Sequence, residues 1–187
     1  MDRLRVFIAV DIDDPLLVSR ISGVIDALTS LGVPLKPVEP GNLHITIRFI
    51  GEVPRDVVNE IIDRVLSKVK FKEFDLRLRG IGAFPSTLRP RVVWIGVENG
   101  YSELKALRDQ VESGLRGLGL RPERQEFKPH LTLARVKGAR NISSLIRFME
   151  GYRDYEFGVM KVRVVRLKKS TLTRSGPIYE TLWEVKA

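Results

Sequence analysis

Apolar positions along the chain switch between a period of two and a period of about 3.6, and the switches divide it into strands and helices. Leu4 to Val10 is a short apolar run rich in β-branched residues, closed by Asp11 and Asp13, and it predicts a buried strand. Leu17, Ile21, Val24, Ile25 and Leu28 then recur at three-to-four spacing. Asp13 or Asp14 can cap that segment, Pro15 suits its first turn and Gly32-Val33-Pro34 stops it, which together predict a helix. After an extended piece at Leu35 to Val38 and a turn over Glu39 to Asn42, Leu43 to Ile50 alternates and predicts a second strand. Its period of two puts His44, Thr46 and Arg48 on one face and Leu43, Ile45, Ile47 and Phe49 on the other.

Val57, Val58, Ile61, Ile62 and Val65 predict a helix over Pro54 to Val69. Alternation from Phe74 to Phe84 predicts a strand, Pro85 to Pro90 a turn and Arg91 to Val97 its successor. A helix is expected over Tyr101 to Leu118, a strand over Leu131 to Val136 and a helix over Ile142 to Met149. Further strands are expected near Val159 to Leu172 and Ile178 to Val185. The order of strand, helix, extended piece and His-bearing strand occurs once in each half, with Phe7 preceding His44 and Trp94 preceding His130 by nearly equal spans. Strands arriving in adjacent pairs among helices argue α+β with mainly antiparallel pairing, not a doubly wound parallel sheet. Residues 1–187 therefore read as a single domain of two similar lobes, with two sheets facing a central cleft, helices outside and no long linker.

At 187 residues the chain can bury a core without disulfides or metals, and with no cysteine it has no thiolate nucleophile or zinc-thiolate site. No apolar run approaches the roughly 20 residues of a membrane span, and no signal-peptide pattern opens the sequence, so a cytoplasmic protein without a membrane partner is expected. Thirty-two Lys plus Arg against 23 Asp plus Glu give a net charge of +9, which favours polyanionic partners such as RNA.

The chain has only two histidines, His44 and His130, and each has threonine two positions on, in the tetrads His44-Ile45-Thr46-Ile47 and His130-Leu131-Thr132-Leu133. In a strand that spacing sets the hydroxyl on the imidazole's face, about 7 Å along. Both can then touch one phosphate. Opening a cyclic phosphodiester needs a base for water, an acid for the leaving oxygen and donors for the equatorial oxygens. Two imidazoles of pKa about 6.5 fill the first two roles near neutral pH, and Thr46 and Thr132 fit the third. Zinc would want a third ligand, leaving a two-histidine, one-carboxylate site as the metal alternative. A serine elbow and Gly-rich phosphate loops are absent.

Both tetrads, Phe127-Lys128-Pro129-His130-Leu131-Thr132-Leu133-Ala134-Arg135, the opening Arg5-Val6-Phe7-Ile8-Ala9-Val10 and Arg89-Pro90-Arg91-Val92-Val93-Trp94 together resemble the RNA 2′,3′-cyclic phosphodiesterases long called 2′-5′ RNA ligases. These belong to the two-histidine phosphoesterase superfamily, and the likeness runs over essentially the whole chain. It implies a bilobal α+β fold with a pseudo-twofold and metal-free, cofactor-free hydrolysis of 2′,3′-cyclic phosphate ends of RNA to 2′-phosphates. It also implies His44 as proton donor to the 3′ oxygen and His130 as proton acceptor from water. The reverse reaction would join a cyclic end to a 5′-hydroxyl through a 2′-5′ linkage. Rival readings are the same chemistry on another cyclic nucleotide or oligonucleotide, or a non-catalytic RNA- or nucleotide-binding module. Nothing in the sequence suggests an obligate oligomer, and a monomer is expected.

Arg135 and Lys128 are candidate phosphate clamps, although strict alternation puts Arg135 opposite Thr132 unless a bulge intervenes. Arg48 shares the face of His44 in the same scheme. Arg89 and Arg91 can extend a basic surface toward RNA, whereas Lys161, Arg163, Arg166, Lys168 and Lys169 read as a solvated basic face. Phe49, Phe84, Phe127 and Tyr179 are candidates to stack a terminal base, with core packing as the default.

Overall fold

The computed structural model describes residues 2–187, in which nine strands and four α-helices alternate. In chain order these are β1 (Arg3–Asp11), α1 (Pro15–Thr29), β2 (Leu35–Pro37), β3 (His44–Pro54), α2 (Arg55–Arg64), β4 (Phe74–Ser86) and β5 (Arg89–Asn99). There follow α3 (Tyr101–Gly117), β6 (His130–Val136), α4 (Ile142–Gly151), β7 (Glu156–Val162), β8 (Val164–Thr173) and β9 (Gly176–Lys186). Every strand pairing is antiparallel, and the spatial order is β7-β4-β5-β6-β3-β1-β8-β9, with β2 added to β6. The α+β reading holds. The two expected sheets are joined, because β3 and β6 meet at the single pair Ile45 and Leu131 and so make one continuous sheet.

That order is symmetric about its centre, with a His-x-Thr strand innermost on each side. The lobes are not half-chains, however: the C-terminal hairpin β8-β9 completes the lobe begun by β1 and β3, while β4 to β7 make the other. The expected strand region near Val159 to Leu172 divides at Arg163, the one residue between β7 on an outer edge of one lobe and β8 in the other. A one-residue link brings the edge strand β7 and the penultimate strand β8 together at that end, so the sheet must curl. The repeat is also shifted by two in register. Thr46 pairs with Ala9 and Thr132 with Trp94, so Ala9, not Phe7, occupies the ladder place of Trp94.

The apolar stripe read from the sequence faces the core in α1, where Leu17, Ile21, Val24, Ile25 and Leu28 are buried and Asp14 caps the helix by accepting from the Leu17 N–H at 2.9 Å. Packing crosses between lobes. Helix α1 follows β1 yet docks on β7, where Gly158 at φ 143 leaves room for Leu17 and the Phe157 carbonyl accepts from Arg20. Helix α2 is shorter than its periodicity predicts, ending at Arg64 before a 3₁₀ turn over Leu66–Lys68, because Val65 departs from helical geometry to seat against Gly114 of α3.

Candidate active site

Both motif strands carry a bulge at the same place. In β3, Thr46 pairs with Ala9 and Arg48 with Ile8, leaving Ile47 without a partner. In β6, Thr132 pairs with Trp94 and Ala134 with Val93, leaving Leu133 unpaired. An extra residue reverses the alternation beyond it. His44, Thr46 and Phe49 therefore line one wall of a cavity of about 600 Å³, and His130, Thr132 and Arg135 line the other. The bulge brings Arg135 in. It also corrects two expectations, since Arg48 turns away from His44 into the interior and Phe49, expected on the core face, is 40% exposed at the cleft.

Each imidazole is fixed by the same local bond. His44 Nδ1 lies 2.8 Å from the Asn42 carbonyl and His130 Nδ1 lies 2.6 Å from the Lys128 carbonyl. A carbonyl oxygen only accepts, so Nδ1 carries hydrogen in both rings and Nε2 is the nitrogen left to react. Aromatic rings hold the other edges: Phe7 at 5.2 Å and Tyr179 at 5.3 Å from His44, Phe84 at 4.8 Å and Trp94 at 6.4 Å from His130, between ring centres. Trp94 lies flat over Gly82, where any side chain would collide with the indole. Asn42 adds a tie to the C-terminal hairpin, its amide donating to the Pro177 carbonyl at 3.2 Å.

Burial lowers the pKa of both histidines, helped by the Lys168 charge at His44 and by the Arg135 charge at His130. Lys168 is itself buried and bonded to Asp11 at 2.7 Å, with Arg166 on the other carboxylate oxygen at 3.1 Å. Asp11 is the ladder partner of His44, so this cluster is part of the motif's support.

The basic residues of the C-terminal region divide by partner. Arg166, Lys168 and Lys169 meet carboxylates with their side chains largely covered and are structural pairs, whereas Lys161 and Arg163 pair at the surface, 47% and 66% exposed, as the expected solvated face. Arg5, Lys36 and Arg135 line the cavity and, among the described residues, have no carboxylate within 4.0 Å. One acidic residue, Glu39, shares the lining. An excess of unpaired cations around two imidazoles suits a phosphate ester. Arg5 shares the period-two face of Phe7, a signal present in the sequence and not used; Lys36 had no comparable mark.

Lys128 stays outside the main cavity, at a neighbouring recess, and its side chain is well exposed. Arg89 and Arg91 are exposed on β5, away from both. Arg48 is a clasp: its Nε donates to Glu112 at 2.6 Å, and its other nitrogens donate to the Arg121 carbonyl at 2.7 Å and to the Phe49 carbonyl. It thus ties the first motif strand to the segment leading into the second. Burial pushes the Glu112 carboxyl up, but the Arg48 bond and charge and the Glu123 N–H outweigh it and hold the pKa below its ordinary value.

A model of the 2′-5′ RNA ligase superfamily matches residues 17–171, across both motifs. The chain belongs to this superfamily. An RNA 2′,3′-cyclic phosphodiesterase of Aeropyrum pernix is 52% identical over 171 residues, 91% of this chain and 97% of the relative. One from Archaeoglobus fulgidus is 42% identical over 179 residues, 96% and 98% of the two chains. Among solved structures, TT0787 of Thermus thermophilus superposes with a TM-score of 0.77 at 26% identity, over 98% of this chain and 97% of that one. E. coli LigT complexed with 3′-AMP superposes with a TM-score of 0.78, covering 99% and 98%; at 23% identity that likeness is one of fold.

Proposed function

We propose that the protein opens terminal 2′,3′-cyclic phosphodiesters of RNA to 2′-phosphates, with His130 as base and His44 as acid. The observation that carries this is the paired imidazoles, each with Nδ1 committed to a backbone carbonyl and its threonine on the same side of a cavity lined by unpaired cations. Relatives named RNA 2′,3′-cyclic phosphodiesterase over nearly the whole chain support the substrate class.

The geometry permits the step, and the resemblance to the family orders the two histidines within it. Neutral His130 takes a proton through Nε2 from water as the water oxygen attacks phosphorus. The P–O3′ bond breaks on the far side, and the 3′ oxygen takes the proton of His44. Thr46, Thr132 and Arg135 donate to the equatorial oxygens as their charge grows. Side chains supply base, acid and anion donors, so no metal enters the step. With an RNA 5′-hydroxyl in place of water, the same exchange forms a 2′-5′ linkage.

An RNA ending in 2′,3′-cyclic phosphate gives a 2′-phosphate product on this reading, in the presence of EDTA as in its absence. His44→Ala and His130→Ala each lower turnover at least about a hundredfold while the protein stays folded. A 3′-phosphate product, abolition by EDTA, or near-wild-type turnover by either variant would overturn it.

A further inference from the structure

A second recess of about 580 Å³ adjoins the cleft and shares Thr46, Phe49 and His130 with it, but not His44. Its own walls are Phe84, Pro85 and Phe127, with Gln125, Glu126 and Lys128 at the rim. Phe84 stands edge-on against His130, and Phe127 is braced by Arg108 at 5.2 Å and Tyr101 at 6.2 Å. The recess therefore opens on the base alone. Whatever sits there presents its reactive oxygen to the histidine that deprotonates the nucleophile.

The two arms also differ in charge. The main cavity has Arg5, Lys36 and Arg135 against Glu39, whereas the recess is balanced, with Glu126 3.9 Å from Lys128 and Glu123 paired to Arg108 at 3.2 Å. A phosphate-rich strand belongs in the first. An uncharged aromatic group suits the second, where phenylalanines offer stacking faces and the rim carboxylate and amides can bond polar edges of a base. Its volume lies within the roughly 300–1,000 Å³ of small-molecule sites.

We infer that this recess is an acceptor subsite that seats the terminal nucleoside of a 5′-hydroxyl RNA, aiming its O5′ at His130 for 2′-5′ joining. The inference rests on the assignment of His130 as base. In the joining step the O5′–H bond breaks, its proton passes to His130, the O5′–P bond forms, the P–O3′ bond breaks and the 3′ oxygen takes the proton of His44. A 5′-phosphorylated strand is excluded because it lacks the hydroxyl.

The test supplies adenosine as acceptor and an oligonucleotide ending in adenosine 2′,3′-cyclic phosphate as donor, and measures joined and hydrolysed product in the same tube. Joined product should rise with adenosine and saturate in the millimolar range, and should be a 2′-5′ linkage. Phe127→Ala should lower the ratio of joined to hydrolysed product by about tenfold, the cost of one lost stacking face. A linear, unsaturated dependence of joining on adenosine in the wild-type protein overturns the subsite without needing any variant, as does an unchanged ratio in folded Phe127→Ala. Failure of the wild-type protein to hydrolyse the donor would instead overturn the catalytic reading beneath it.

Discussion

Replacing Arg48 with Met should destabilise the protein by about 3–5 kcal/mol, the range for removing one partner of a buried ion pair. Its side chain is 7% exposed and that of Glu112 12%, so the pair is screened little by solvent. The substitution keeps the aliphatic stem but takes the ion-pair partner from the Glu112 carboxylate, leaving it the Glu123 N–H, and frees the Arg121 and Phe49 carbonyls. Against a typical total stability of about 5–15 kcal/mol, a loss of that size is visible in urea unfolding as a lower midpoint at unchanged slope. Replacing both partners, Arg48→Met with Glu112→Leu, should recover much of it, since no charge is then left buried alone. The pH dependence has a definite sign. Because Glu112 titrates below its ordinary value in the folded protein, its pairing stabilises above that value and the contribution is lost as pH falls through the lowered pKa. The gap between wild type and R48M should therefore narrow in acid. A loss below about 1 kcal/mol at neutral pH, or a double variant no better than the single one, would refute the account.

Burial holds both histidines below their ordinary 6.5, and the proposed step needs His130 neutral and His44 protonated, so kcat/KM should peak between their two values, on the acid side of 6.5. An optimum above pH 7 would contradict the burial argument. Arg135→Ala should lower kcat/KM by about 10- to 100-fold, through a lower kcat as well as a raised KM, as for the loss of a charge-assisted hydrogen bond that strengthens in the transition state and is worth about 1.5–3 kcal/mol. Removing that charge also relaxes the His130 pKa upward, which should move the acid limb of the profile to higher pH. Unchanged kcat/KM together with an unmoved limb would place Arg135 outside the site.

The helices and the motif strands were legible because their periodicity is imposed by burial, as the fully buried stripe of α1 illustrates. The chemistry was legible because two rare side chains shared one spacing. What alternation could not tell was where it would break. Ile47 and Leu133 look like ordinary inward residues, and only the ladder partners reveal them as insertions that carry Arg135 into the cleft and Arg48 out of it. The joining of the lobes was equally hidden, since it depends on Ile45 and Leu131 meeting across the centre, far apart in sequence. The basic run near β8 was legible only in part for a similar reason: Asp11, which draws Arg166 and Lys168 out of the solvated face, lies a long way off along the chain.

The placement of β8 beside β1 has a consequence for how the enzyme comes into being. Residues Val6 to Ala9, made about 160 positions ahead of their partners, wait for Arg166 to Lys169 before that edge of the sheet is closed. Until then Asp11 has neither of its cations and His44 lacks the ring of Tyr179. Pairings of such long range form slowly, and an uncovered strand edge invites wrong partners in the interval. A nascent chain that already holds both motifs thus still lacks the support of the first one until β8 and β9 are in place.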